Sequence, residues 1–159
     1  NTAIQFAKVA EPYDIMYLEE GCTPLNAACM KRIAEGTTIP LATGERTYTR
    51  WGFLPFFENG SLSLIQPDIG NCGGITEAKK IADMAHIFDV GVQCHVCSSP
   101  ISVAIALHLE ASIPNFVIHE HHIANTTSGT IRVSGRIGEI IIDGNIKGPG
   151  AEIKVKGKG

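Results

Sequence analysis

Five ionisable side chains recur at regular intervals along this chain, each closing an apolar run. They are Glu19, Glu45, Asp68, His95 and Glu120, and neighbouring members lie 23 to 27 residues apart. Four acids and a histidine that converge would repel one another without a cation, so a hard divalent ion such as Mg²⁺ fits the set. A histidine among acids can also act as a general base near neutral pH. A single such acid is most simply a solvated loop residue; the regular series of five favours a site.

The elements between these residues alternate between strand and helix. The runs IMYLEE, IPLATGE and SLSLIQPD predict buried strands, whereas PLNAACMKRIAEG and ITEAKKIADMAHIFD predict helices. Asn26 or Thr23 is expected to cap the first of those helices. Five such repeats with continuous apolar strands are typical of parallel βαβ units. We therefore predict an α/β fold, a partial (β/α)8 TIM-type barrel of about five units, with the five side chains on its catalytic face.

The composition limits the class of protein. The chain has 159 residues, 44% of them apolar and 18% charged, and a formal net charge of -3. This mild acidity argues against nucleic acid or an anionic membrane as the main partner, and no apolar run approaches the roughly 20 residues of a spanning helix. Five cysteines, an odd number, fit a reducing cytoplasm better than a disulfide framework. We expect a cytoplasmic protein.

The residue composition of the sequence changes after His122. Glycine and β-branched residues become frequent, which predicts β-hairpins or an extended β-rich tail over residues 123–159, after a barrel portion over 1–122. Within the barrel portion, TYTRWGFLPFFENG predicts a helix or an irregular helical segment interrupted by Pro55.

Several of these motifs are similar to a known family. LEE, IPLATGER, LIQPDIGNCGGITEAKKIADMA, QCH and NFVIHE resemble, in order and spacing, the C-terminal half of an enolase-superfamily enzyme of the mandelate racemase subgroup. The nearest resemblance is to acid-sugar dehydratases of the galactonate and mannonate dehydratase type. It covers about residues 8–122, with a weaker likeness in DGNIKGPGAEI to the closing strand of the family.

The resemblance implies a role for each residue of the series. Glu19 and Glu45 match two Mg²⁺ ligands, Asp68 and His95 match an Asp–His dyad, and Glu120 matches the acid that hydrogen-bonds the substrate carboxylate. His95 would be the base, and Asp68 would fix its tautomer. Metal plus a base is a recognised way to remove the weakly acidic proton beside a carboxylate.

The implied reaction is dehydration of an aldonate or aldarate to a 2-keto-3-deoxy acid, by α-proton abstraction and loss of water. Racemisation or epimerisation is the alternative within the same superfamily. Arg46 would neutralise or steer an acid, and Arg46, Gln66 and Trp51 are expected to contact the substrate together with Glu120. Trp51 and Tyr48 could equally be packed in the core.

The family pattern is incomplete in this chain. Its third metal ligand is expected one strand before Glu19, which falls before Asn1, and a full barrel needs about 250 residues. We therefore expect a fragment that is inactive alone and part of a homo-oligomer in its full-length form. The alternative is a non-catalytic half-barrel or pseudoenzyme fragment.

Other motifs suggest weaker alternatives. Cys94, His95 and Cys97 form CHVC, which could hold zinc or carry out redox chemistry, but a single CxxC is a weak signal. In HEHH, His119 and His121 are expected to point away from Glu120 and to be packing or loop residues. GNCGG lacks the Lys-Ser/Thr of a phosphate-binding P-loop, so a tight turn before a helix is favoured.

Overall fold

The computed structural model describes residues 2–121, 130–134 and 152–156. These described residues form α-helices, one 3-10 helix and short strands. The α-helices are α1 Thr2–Ala10, α2 Ala27–Ala34, α3 Thr49–Glu58, α4 Ile75–Ile87 and α5 Pro100–Glu110, and the 3-10 helix is Glu11–Tyr13. The strands are β1 Leu18–Glu19, β2 Leu41–Thr43, β3 Leu64–Ile65, β4 Gly91–Val92, β5 Thr130–Ser134 and β6 Glu152–Lys156.

The first four strands form one parallel sheet in the order β1-β2-β3-β4. Each neighbour in the sheet is also the next strand along the chain, with a helix between, so the units wind in one direction as in a barrel. This confirms the predicted α/β fold, a partial TIM-type barrel.

The fifth predicted strand is shorter than expected. NFVIHE contributes an isolated parallel bridge between Phe116 and Val92, on the far side of β4. Val92 donates its N–H to Asn115 O at 2.8 Å, and Val117 donates its N–H to Val92 O at 3.0 Å. Two residues further along, Cys94 donates its N–H to a side chain instead, which limits regular pairing.

The helices cover the sheet with their apolar faces. Asn26 caps α2 by accepting the Cys29 N–H at 2.9 Å, which settles the choice between Asn26 and Thr23. Phe53, Phe56 and Phe57 of α3 are buried, and Phe57 stacks on Phe88 after α4 with ring centroids 5.6 Å apart.

Pro55 lies inside α3 without interrupting it, so the predicted interruption is wrong. Proline in a helix interior removes one hydrogen bond and costs about 3 kcal/mol. Burial of the three phenylalanines on either side of it offsets that cost, at roughly 1.5–3 kcal/mol each.

The tail contains a two-stranded sheet of β5 and β6. The strands pair in parallel, with Thr130 opposite Glu152 and Ser134 opposite Lys156. This pair is therefore not a hairpin, since hairpin strands are antiparallel, and it agrees with the alternative expectation of an extended β-rich tail. The rest of the predicted tail and the boundary at residue 122 lie outside the described residues.

All five cysteines are free thiols. Among the described residues, no helix combines the length and the apolar character that crossing a membrane requires.

Glu11 joins the end of α1 to the start of β2. Its Oε1 accepts hydrogen bonds from the Thr38 N–H at 2.8 Å and from the hydroxyls of Thr37 and Thr38 at 3.0 and 3.1 Å. The Thr38 N–H, then the Thr37 hydroxyl, lower the pKa of Glu11 below its ordinary 4.5. A lowered pKa means that the ionised group stabilises the fold above its unfolded pKa, and that this stabilisation is lost as pH falls through the folded value.

We expect Glu11→Gln to lower the free energy of unfolding near pH 7 and to have less effect as the pH falls below about 4.5. Urea denaturation of both proteins at several pH values measures this difference. Glu58→Gln, at an exposed end of α3, is the control. A difference between wild type and Glu11→Gln that stays constant with pH would contradict the assignment.

Candidate active site

The structure places the five predicted residues along the carboxyl ends of neighbouring strands. Glu19 is the last residue of β1, and Glu45 follows β2 by two residues. Asp68 and His95 follow β3 and β4 and face each other in a parallel bridge. Glu120 follows the bridge formed by Phe116. Because the carboxyl ends of parallel strands meet at one edge, these groups share one face of the sheet.

Asp68 and His95 form a hydrogen-bonded pair. Asp68 Oδ2 lies 2.9 Å from His95 Nδ1, and Asp68 Oδ1 accepts the Asn71 N–H at 2.9 Å. Because a carboxylate only accepts, His95 carries a proton on Nδ1, and Nε2 is the nitrogen that gains and loses a proton. The second bond, from Asn71, holds the carboxylate in this orientation.

The charges around His95 alter its basicity. Burial alone would lower its pKa, but the hydrogen bond to Asp68 and the charges of Glu120, Glu45 and Asp68 outweigh that effect. The net result is a pKa above the ordinary 6.5. The imidazole is therefore a stronger base than a free histidine.

Glu45 contacts His95 on the other ring nitrogen. Its Oε2 lies 3.1 Å from His95 Nε2, and its Oε1 lies 3.5 Å from Arg46 Nε. Arg46 also pairs with Glu20, and its side chain is largely exposed. The arginine thus lies between two acids at the open edge of the face.

Glu19 has a different partner. Its Oε2 accepts a hydrogen bond from Gln66 Nε2 at 3.1 Å. Gln66 is buried, and its Oε1 is buried without a hydrogen-bond partner in the described part of the chain. Gln66 therefore holds Glu19, a predicted metal ligand, in place. The sequence predicts that Gln66 contacts the substrate and does not predict this bond to Glu19.

The carboxylates of Glu19 and Glu45 are oxygen donors of the kind that Mg²⁺ prefers. They fit such an ion in kind but supply only part of a coordination sphere. No group of three His, Cys, Asp or Glu side chains able to hold a metal occurs among residues 2–121. In the CHVC motif, Cys94 is fully buried, while Cys97 is exposed.

Glu120 contacts the peptide that follows His95. Its Oε2 accepts the Val96 N–H at 2.9 Å, so it lies beside the dyad. Its predicted bond to a substrate carboxylate stays a prediction.

Trp51 and Tyr48 lie at the start of α3 and are exposed, Trp51 at 72% of its surface. Core packing was the alternative for these two rings, and in this structure it is wrong. The predicted contact of Trp51 with substrate stays a prediction.

A second layer of polar side chains lies beneath the site, and apart from Gln66 its members were missed from the sequence. Tyr17 donates its hydroxyl hydrogen to Gln93 Oε1 at 2.9 Å, and burial, the largest effect, raises the pKa of Tyr17. Thr43, Gln66 and Gln93 are buried.

The members of this layer share a spacing. Each precedes a strand-end group by two residues, which puts both on one face of a strand. The pairs are Tyr17 with Glu19, Thr43 with Glu45, Gln66 with Asp68 and Gln93 with His95. Polar residues two positions before the series were the available signal.

Residues 1–154 match the family described as enolase C-terminal domain-like. The chain belongs to this enolase family. The D-galactonate dehydratase of Cronobacter sakazakii (strain ATCC BAA-894) is 41% identical over 113 residues, which are 71% of this chain and 30% of that protein.

Solved structures of enolase-type proteins agree with the fold. A member of the enolase superfamily from Salmonella Typhimurium is 60% identical, with a TM-score of 0.78 over 79% of this chain and 32% of its own. A mandelate racemase/muconate lactonizing enzyme-like protein from Roseovarius sp. TM1035 is 37% identical, with a TM-score of 0.74 over 76% of this chain and 30% of its own. The chain thus spans about a third of the length of these relatives.

Proposed function

We propose that this chain is the part of a sugar-acid dehydratase that carries the base. The proposed reaction converts an aldonate or aldarate into a 2-keto-3-deoxy acid. The observation that carries the proposal is the Asp68–His95 pair at adjacent strand ends, with Glu45 and Glu120 beside it. The similarity to D-galactonate dehydratase supports the substrate class.

Each residue of the site has a part in this reaction. His95 Nε2 takes the proton from the carbon beside the substrate carboxylate, and Asp68 stabilises the imidazolium that forms. The neighbouring carbon then loses its hydroxyl group, which leaves as water, and the proton that completes the water balances the proton that His95 removed from the α-carbon. The resulting enol becomes the 2-keto-3-deoxy acid. Glu120 faces the substrate carboxylate, Arg46 and Trp51 line the approach, and Gln66 holds Glu19 from the buried layer beneath.

Glu19 and Glu45 would hold the Mg²⁺ ion, together with ligands from the rest of the barrel. Bound there, the ion would stabilise negative charge that develops on the substrate carboxylate. Because the matched part of this chain covers only about a third of the length of its relatives, we propose that turnover needs the remaining strands and that the chain alone is inactive. A cytoplasmic location and a homo-oligomer remain parts of the proposal.

The deciding experiment compares this chain with the complete protein expressed from its source gene. Both are assayed with Mg²⁺ against a panel of aldonates and aldarates, and 2-keto product is measured. We expect product only from the complete protein. Turnover by the chain alone would overturn the proposed inactivity, and no product from either protein would overturn dehydration.

The Roseovarius relative favours testing a second activity, racemisation or epimerisation. In D2O an epimerase incorporates deuterium beside the carboxylate and changes the configuration there without forming 2-keto acid. Finding that pattern would replace dehydration by epimerisation. Absence of both product and exchange in the complete protein would favour the non-catalytic alternative, in which this chain is a fragment of a pseudoenzyme.

Removing divalent metal from the complete protein is expected to reduce turnover to background, with recovery on addition of Mg²⁺. Glu19→Gln and Glu45→Gln are expected to raise the Mg²⁺ concentration needed for half-maximal turnover, since each loses an anionic oxygen ligand. Glu58→Gln should behave as wild type. Calorimetric titration of Mg²⁺ gives a readout that does not depend on turnover. Unchanged Mg²⁺ affinity in both site variants would exclude these residues as ligands.

A further inference from the structure

A buried acid and a buried histidine lie behind the proposed base. Glu110, the last residue of α5, is only 2% exposed, and His119 is 5% exposed. Glu110 Oε2 lies 2.6 Å from His119 Nδ1, and Glu110 Oε1 accepts the Cys94 N–H at 3.1 Å. Both carboxylate oxygens are therefore used inside the fold.

Burying this acid is costly. Burial raises the pKa of Glu110, against the opposing effects of His119 and the Cys94 N–H. A carboxylate in the last turn of a helix is also disfavoured by the helix dipole. Because an apolar residue there would avoid both costs, the contacts of Glu110 call for an explanation beyond packing.

The contacts converge on the segment that carries His95. The peptide N–H groups on either side of His95 are both accepted by carboxylates, Cys94 by Glu110 and Val96 by Glu120 at 2.9 Å. The N–H of His95 itself is accepted by Pro67 O at 3.2 Å. Three consecutive peptide groups thus have fixed partners, two of them ionisable side chains.

The two carboxylates also belong to one connected unit. His119, which binds Glu110, directly precedes Glu120 in the chain. The end of α5, the His95 segment and the Glu120 segment are therefore joined through Glu110 and His119. Backbone pairing with the Phe116 segment occurs at Val92. Beyond it, the N–H groups of Cys94 and Val96 are accepted by side-chain carboxylates instead.

We propose that Glu110 and His119 are a positioning pair that fixes His95 and Glu120 relative to each other. This inference rests on the proposed function, in which those two residues act on the substrate. Glu110 acts through the Cys94 peptide and does not touch the substrate. A shift of about 1 Å in a reacting group can cost about 100-fold in rate.

The first test measures amide hydrogen exchange in the complete protein, residue by residue. In Glu110→Leu the Cys94 amide is expected to exchange about 10-fold faster or more, after correction for overall stability, because its buried acceptor is lost. In Glu110→Gln the side-chain oxygen can still accept, so exchange should stay within about threefold. Glu58→Leu makes the same change at the exposed end of α3 and should leave Cys94 as in wild type.

A uniform change across the β3 and β4 amides, with none specific to Cys94, would overturn the positioning role and leave Glu110 as part of the core. Should Glu110→Leu fail to fold, Glu110→Asp withdraws the carboxylate by one methylene. It should speed Cys94 exchange by about threefold or more, and an unchanged rate would count against the proposal.

The second test separates kcat from KM. Glu110→Leu is expected to lower kcat about 10- to 100-fold per folded molecule, with KM changed less than about threefold, and Glu110→Gln should recover most of kcat. If the activity lost in Glu110→Leu equals the fraction of the protein that is unfolded, the positioning role of Glu110 is overturned. If the wild-type protein has no dehydratase activity, the proposed function fails, whereas the exchange result still tests whether the pair holds the His95 segment.

Discussion

Replacing His95 with asparagine is expected to lower kcat by about 1000-fold in the complete protein, within the range for loss of a general base. The introduced amide group could still donate to Asp68, as Nδ1 of His95 does at 2.9 Å, so the local hydrogen bond can be kept while the base is removed. Steady-state kinetics with the preferred sugar acid measure the loss. Circular dichroism and the urea midpoint confirm that the fold is retained.

Asp68→Asn tests the other member of the dyad. The measurement that checks it is the pH dependence of kcat/KM. Asp68 helps to raise the pKa of His95, so its removal should lower that pKa. Because the base acts when deprotonated, the rise of kcat/KM with pH should move to lower pH.

A His95→Asn protein with more than about a tenth of wild-type kcat would exclude His95 as the base.

Replacing Gly44 with alanine is expected to be the most destabilising single methyl addition near the site. Gly44 joins β2 to Glu45 with φ +152°, a conformation that residues with a Cβ rarely adopt. An added Cβ would lie 2.6 Å from Gln66 N and 2.7 Å from Gln66 C, both backbone atoms that cannot yield locally. Strain and overpacking together should cost about 3 kcal/mol in the free energy of unfolding.

Gly60→Ala separates the two causes. Gly60 has φ +62°, but an added Cβ meets nothing within 4 Å, so only the conformational cost of about 1 kcal/mol should appear. Urea denaturation of both variants measures the difference. Equal losses at the two positions would show that contact with the Gln66 backbone is not the cause. Because Gln66 also holds Glu19, Gly44→Ala should weaken Mg²⁺ binding as well.

The order of strands and helices follows from the sequence because apolar runs and caps are local signals. Asn26 caps α2 through its own side chain, and the strand-end residues recur with the length of one βα unit. The interruption predicted at Pro55 was wrong because the free-energy cost of a proline within a helix is outweighed by burial of the nearby phenylalanines. That burial depends on the whole fold and is not a local signal.

The choice of partners at the site depends on three-dimensional proximity and was harder to predict. Glu45 binds both His95 and Arg46, and Glu20 also binds Arg46. The spacing of these acids in the sequence does not show which of them pairs with which base. Glu110 has the sequence context of a solvated helix end, and only its burial against His119 shows otherwise. The polar residues two positions before four of the five strand-end groups were a signal present in the alternation of the strands.

Asp68 and His95 are paired in register on neighbouring strands, and this has a consequence for how the site can change. Their separation depends on strand pairing and not on the loops that follow them. Those loops can therefore vary in length and composition while the dyad keeps its spacing. A one-residue insertion between Val92 and His95 would instead turn the imidazole toward the helix layer. Acquisition of new substrates by loop exchange is thus compatible with an inherited proton-transfer geometry.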